Sequence, residues 1–187
     1  AWPQVTLSNE RTTSVWHISQ AIRTLNGGGL VMLSGMEELP LPPYQFHNSP
    51  YGNVMAFIGK ETKSSVAQQS TYYFIAPEEV EGYLDYDLGS TLSGYDATSV
   101  SLQFNGGQRL FNVLSVLSMA TDKTIVADNA VAEIRCGFIF IPETPLPQAL
   151  EAVLKSGRVT PDSIQIQVED DFIFIRHPQT LPIGARR

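Results

Sequence analysis

The sequence predicts an α+β fold of two small tandem β-α-β-β-α-β(-β) domains, each a mixed sheet with two helices on one face. Three observations point there. Between Val100 and His177 the apolar residues change from period 2 to period 3.6 and back, in the order strand, helix, strand, strand, helix, strand, strand. A gap-free shift of 95 positions carries Val5 onto Val100 and lays the apolar pattern of the first half over the second as far as Ile58 on Val153. Between the halves, Glu78 to Thr98 is acidic, holds no Lys or Arg and contains Gly and Ser, the composition of a linker. The expected boundaries are residues 1–77 for the first unit, 78–98 for the linker, 99–178 for the second unit and 179–187 for an extended tail.

The second unit is the clearer one. Val100, Leu102 and Phe104 alternate with Ser101 and Gln103, as in a half-buried strand. After Asn105-Gly106-Gly107, Leu110, Val113, Leu114 and Leu117 form one helical face, and that helix should end near Thr121-Asp122. Thr124 to Ala127 reads as a short strand, Asp128-Asn129 as a turn, and Ile134 to Ile141 as a longer strand. Thr144 is placed to cap the next helix, its hydroxyl accepting from the free N–H groups of the first turn, and Pro145 suits the first helical position, where no N–H is needed. Ala149, Leu150, Val153 and Leu154 supply its buried stripe, and Gly157 a left-handed stop. A hairpin of Ile164 to Val168 and Phe172 to Ile175 closes the unit, turning at Glu169-Asp170-Asp171.

In the first unit, Val15, Ile18 and Ile22 fall on Leu110, Val113 and Leu117, Trp16 on Phe111, and Leu30-Val31 on Ile125-Val126. Tyr44 and Phe46 fall on Ile139 and Ile141, and Ser49-Pro50 on Thr144-Pro145. Identity is low, so what repeats is patterning, as expected for two copies of one unit. Tyr72 to Ile75 match Phe172 to Ile175 only at a shift of 100, and the first hairpin is expected to shrink to one strand. The second helix, about Tyr51 to Lys63, carries Gly52 and Gly59, each costing about 1 kcal/mol against Ala. Gly27-Gly28-Gly29 stands where a helix end would be.

The order of elements, the V-S-L-Q-F opening before an amphipathic helix, the T-P-L-P-Q-A-L-E-A-V-L helix and the closing hairpin resemble the small domains at the N-termini of secretins, the secretin and TonB N-terminus domain. The resemblance covers about residues 100–177. It implies domains that pack side by side into periplasmic rings, or that receive a signal or partner below an outer-membrane pore. Neither a pore-forming region nor a lipoprotein cysteine stands in this sequence, so an accessory ring subunit or a fragment is expected.

Composition narrows the partners. A net charge of −7, with 12 scattered basic residues, lacks the basic stripe that nucleic acid or an anionic membrane needs. No apolar run reaches the ~18–20 residues of a membrane span. An Ala1-Trp2-Pro3 start fits a removed signal peptide and equally a boundary of other origin. Cys136 is alone and expected to be buried, so cysteine usage leaves the compartment open.

Chemistry is hard to find. His17, His47 and His177 have no partner at ligand spacing, and Asp85-Tyr86-Asp87 lacks the spacing, glycine and closing Glu of a calcium loop. Glu169-Asp170-Asp171 suits a turn, whose tip keeps carboxylates in water. Gly106-Gly107 is no phosphate loop; Arg109 after it could meet an anion at the helix start, although such a pair more often only makes the turn. No nucleophile elbow occurs. Catalytic, metal and cofactor sites are therefore expected to be absent. Interaction residues are expected among Tyr83, Tyr86 and Tyr95, aromatics a solvated linker does not need, and Phe172 and Phe174, on a strand apolar on both faces.

The expected function is thus a non-enzymatic periplasmic assembly or interaction module of a bacterial envelope machine, a secretin-associated or secretion- or pilus-type ring component associated with the outer membrane. Its partners would be other envelope proteins, copies of itself in a ring among them. The alternative is a soluble periplasmic binder of a small ligand or glycan, with the linker tyrosines as stacking platforms.

Overall fold

The structure, a computed structural model, describes residues 2–80, 82–170 and 172–178. Glu81, Asp171 and the expected tail 179–187 lie outside the described residues.

In the first half, β1 (Gln4–Asn9) pairs antiparallel with β5 (Tyr44–Pro50), and β2 (Thr13–Ser14) with β4 (Pro40–Leu41). Helix α1 (Val15–Ile22) starts at Ser14, whose hydroxyl accepts from the His17 N–H, and buries Val15, Ile18 and Ile22 as its spacing predicts. Strand β3 (Leu30–Met32) is fully buried. Helix α2 (Tyr51–Glu61) leads into a complete hairpin of β6 (Ser64–Gln68) and β7 (Tyr73–Pro77), with β7 parallel to β3. The first hairpin is therefore not reduced to one strand. The sequence hides β6 because SSVAQ is polar and held by its ladder to β7, not by apolar burial. The glycines that weaken α2 let this hairpin approach: a Cβ on Gly59 would lie 2.4 Å from Val66 Cγ2, and one on Gly52 2.9 Å from the Tyr73 hydroxyl.

The segment 78–98 is folded. It holds a 3₁₀ turn at Glu78–Val80, helix α3 (Leu88–Thr91) and a second 3₁₀ turn at Ser93–Tyr95. Leu84, Leu88, Leu92 and Tyr95 are buried, so the composition of a linker conceals an apolar stripe that docks on the second half.

The second half then runs β8 (Ser99–Asn105), α4 (Leu110–Thr121), β9 (Thr124–Ala127), α5 (Asn129–Ala132), β10 (Phe138–Pro145), α6 (Leu146–Ser156), β11 (Gln165–Glu169) and β12 (Phe172–Arg176). The repeat holds at the level of register. Val5 opposes Ser49 and Leu7 opposes Phe46 across a bulge; Val100 opposes Thr144 and Leu102 opposes Ile141 across the same bulge. Val66 opposes Ile75 where Ile166 opposes Ile175, the shift of 100 expected for the closing strands.

Three local expectations are corrected. β10 begins at Phe138 and runs to Pro145, so Thr144 belongs to the ladder with Val100 and its hydroxyl bonds Pro142 O, not a helix N-terminus. The cap residue is Pro145 (φ −54°, ψ 143°), as Pro50 (φ −55°, ψ 140°) is for α2. The left-handed stop is Arg158 (φ 58°), not Gly157 (φ −92°); Gly157 is needed where a Cβ would meet Ile134 at 3.0 Å. Asp128 is more than a turn residue, since its carboxylate accepts from Val131 N–H and starts α5.

The two halves are not separate bodies. β3 pairs antiparallel with β10, with Met32 opposite Phe138, Val31 opposite Ile139 and Leu30 opposite Phe140. One five-stranded sheet, β6-β7-β3-β10-β8, therefore spans both, leaving β1-β5 as a pair and β11-β12-β9 as a triple. The first half thus divides its strands among three sheets, counting the short β2-β4 pair, and the second between two, where a single mixed sheet is expected in each. Gly137 permits the joint: a Cβ there would lie 2.0 Å from Met32 O. Arg23 reaches across to Asn105 (2.7 Å) and Gln103 (2.9 Å), Gln20 to Asn105 (3.1 Å), and one apolar core runs through both halves.

Candidate interaction surface

The structure does not gather the sequence-predicted interaction residues. Tyr86 is half-buried and its hydroxyl donates to Val159 O; burial pushes that hydroxyl far above the usual tyrosine range. Tyr95 is buried, donates to Asp170 O at 3.0 Å and lies under Lys123 Nζ. Of the three tyrosines only Tyr83 stands out, at 69 % exposure, so they form no shared stacking platform. Phe172 and Phe174 stack on one face of β12 with ring centres 6.0 Å apart, Phe172 half-buried and Phe174 buried.

The segment 78–98 is fastened over α6. Glu151 accepts from Leu88 N–H at 2.8 Å. Burial raises the Glu151 carboxyl, against the lowering from that bond and from Lys155, while Lys155 is lowered, chiefly by burial, and sits 5.5 Å over the Phe74 ring. Lys155 and Phe74 line a depression of about 140 Å³ with Leu84 and Asp85, and the Glu151–Leu88 bond ties the segment to the second half.

Other flagged residues resolve locally. Gly106 (φ +101°) and Gly107 (φ +79°) make the turn; Arg109 pairs with Glu133 at 2.9 Å and lies over Phe111. Cys136 is buried, and burial pushes its thiol up to about 11. Among the described residues, no group of three or more His, Cys, Asp or Glu is placed to hold a metal, and no helix is long and apolar enough to cross a membrane.

The surface with unspent apolar area lies elsewhere. β9 is the outer strand of its triple, bonded on one side to β12. Beside it, Phe111, Leu114 and Ser115 of α4 and Ile125, Val126 and Ala127 of β9 line a depression of about 140 Å³. Phe111 is 53 % and Val126 38 % exposed, and the outer face of α4 adds Val116 and Met119, the latter 84 % exposed. Ser118 guards the edge: its hydroxyl accepts from Ile125 N–H at 3.0 Å and bonds Ile125 O at 3.1 Å. Sequence reasoning missed Phe111, Val126 and Met119. Their offset from the core stripe of α4 and the alternation in β9 were legible, but an open edge shows only when every strand has its partners.

Comparison with protein-family models, curated proteins and solved structures finds no match to this chain.

Proposed function

We propose that this chain is a non-enzymatic interaction and assembly module of a bacterial cell-envelope machine, periplasmic, acting through protein–protein contacts. The observation that carries the reading is the open edge of β9 beside exposed Phe111, Val126 and Met119. Apolar side chains grouped beside an unpaired strand are a surface that another chain can cover, with backbone pairing for affinity and side-chain pockets for selectivity. The envelope assignment rests on the resemblance of residues 100–177 to secretin N-terminal domains; the order along this half, β8-α4-β9-α5-β10-α6-β11-β12, supports it apart from the short α5.

The test is site-specific photocrosslinking in the native cell. A crosslinker at Met119 is expected to yield an adduct that mass spectrometry identifies as a component of an envelope ring, secretion or pilus assembly, and one at exposed Asp162 is not. Fractionation of the chain with the cytoplasm, or no envelope adduct at Met119, refutes the reading.

A further inference from the structure

The joint inside this chain is a template for what its second half lacks. In the first half, the edge of β3 receives Phe138 to Phe140 of β10, and the adjoining side of α1 receives Asn105 and Gln103 through Gln20 and Arg23. Under the shift of 95, Leu30 to Met32 correspond to Ile125 to Ala127, and Gln20 and Arg23 to Ser115 and Ser118. The covered strand Leu30 to Met32 is wholly buried, whereas its counterpart leaves Val126 38 % exposed. Among the described residues, the second half thus keeps the same acceptor edge without the strand that fills it.

The corresponding segment of a second copy of this chain is ill suited to fill it. The positions corresponding to Gly137-Phe138-Ile139-Phe140 are Pro42-Pro43-Tyr44-Gln45. The joint tolerates no Cβ at Gly137, since Met32 O would be 2.0 Å away, so proline there is excluded by space and Pro43 has no N–H to donate. The two prolines blunt the free edge of β5 against this pairing. Ser118 guards β9 differently: a hydroxyl can rotate away when a strand supplies its own N–H and C=O to Ile125.

We propose that the edge of β9 and the adjoining side of α4 accept an extended strand of another protein. That strand has glycine followed by three apolar residues, in the register β10 adopts on β3, with Ser118 as a displaceable latch. The proposal rests on the reading of this chain as an interaction module and names the partner's chemistry.

The probe is a synthetic peptide of residues 135–142 with Cys136→Ser and solubilising lysines, added to the full chain and followed by fluorescence anisotropy. Saturable binding is expected, weakened at least about tenfold by Gly137→Pro in the peptide and by Val126→Arg or Phe111→Lys in the protein, each checked for native circular dichroism. Ser118→Ala is expected to tighten binding several-fold, because it leaves the Ile125 N–H and C=O unpaired until the strand arrives; an apolar patch without strand pairing would not respond. Pro42→Gly with Pro43→Phe and Gln45→Phe is expected to convert the chain into concentration-dependent head-to-tail oligomers by light scattering, suppressed by Val126→Arg. No peptide binding, binding indifferent to Gly137→Pro, or self-association of the unaltered chain overturns the proposal. Peptide binding without an envelope adduct would sink the envelope reading alone; an adduct without peptide binding would sink this one alone.

Discussion

Replacing Gly137 by alanine puts a methyl group 2.0 Å from Met32 O, 2.6 Å from Ser34 N and 2.7 Å from the Leu33 carbonyl carbon. All three are backbone atoms, so no rotamer relieves the clash, and since real Cβ contacts essentially never fall under 3.0 Å, the two strands must part by about 1 Å (3.0 minus 2.0). A movement of that size takes N–H···O bonds out of range along the ladder from Leu30 to Met32. Overpacking costs about 1–3 kcal/mol and each lost backbone bond about 1 kcal/mol, so Gly137→Ala is expected to cost roughly 3–5 kcal/mol. At ~2–4 °C per kcal/mol for a chain of this size, the melting temperature should fall by roughly 6–20 °C in differential scanning calorimetry. Gly94→Ala is the control: a Cβ there meets nothing within 4 Å, and the change should stay within about 0.5 kcal/mol. If Gly137→Ala costs less than about 1 kcal/mol, β3 and β10 do not approach as described and the shared sheet fails as the organising feature.

Three further outcomes follow from the same geometry. Gly59→Ala should destabilise by about 1–2 kcal/mol despite alanine's better helix propensity, and Val66→Ala should recover most of it in a double-mutant cycle by urea denaturation, because the colliding atom is Val66 Cγ2. Asp128→Ala should cost about 2–3 kcal/mol, since its carboxylate accepts from both Val131 N–H (3.0 Å) and His177 N–H (2.8 Å); retention of the native urea midpoint would refute it. Cys136, with its thiol held at about 11 against an ordinary 9.0, binds its proton more tightly folded than unfolded. Its contribution to stability is therefore present below pH 9.0 and lost as pH rises toward about 11, and Cys136→Ala should flatten that alkaline fall in chemical denaturation. The native thiol should resist a disulfide reagent at pH 8 until the chain unfolds.

Much of this chain was legible residue by residue. The stripes Val15-Ile18-Ile22 and Leu110-Val113-Leu117 located α1 and α4, and alternation located β8, because burying one face of a helix or strand writes its period into the side chains, while a short run apolar on both faces located β12. The repeat was legible through the shift of 95, and even the change to 100 at the closing strands matches the observed register. The candidate interaction residues fared differently. Tyr86 and Tyr95 looked surplus to a solvated segment, but Leu84, Leu88 and Leu92 dock that segment on the second half and the hydroxyls are used inside the chain.

By itself, then, the sequence determined the kind and order of most elements, since each is a local matter of periodicity, caps and turns. Only the tertiary structure decided that β3 takes β10 as its neighbour, that the acidic segment is part of the core, and that β9 is left, among the described residues, without a neighbour on one side. A ladder is built from N–H and C=O groups that almost every residue carries, so the choice of neighbour leaves little mark on side chains. Here the visible traces are small: a glycine where the strands meet, two prolines where they do not, and a serine closing the edge that remains.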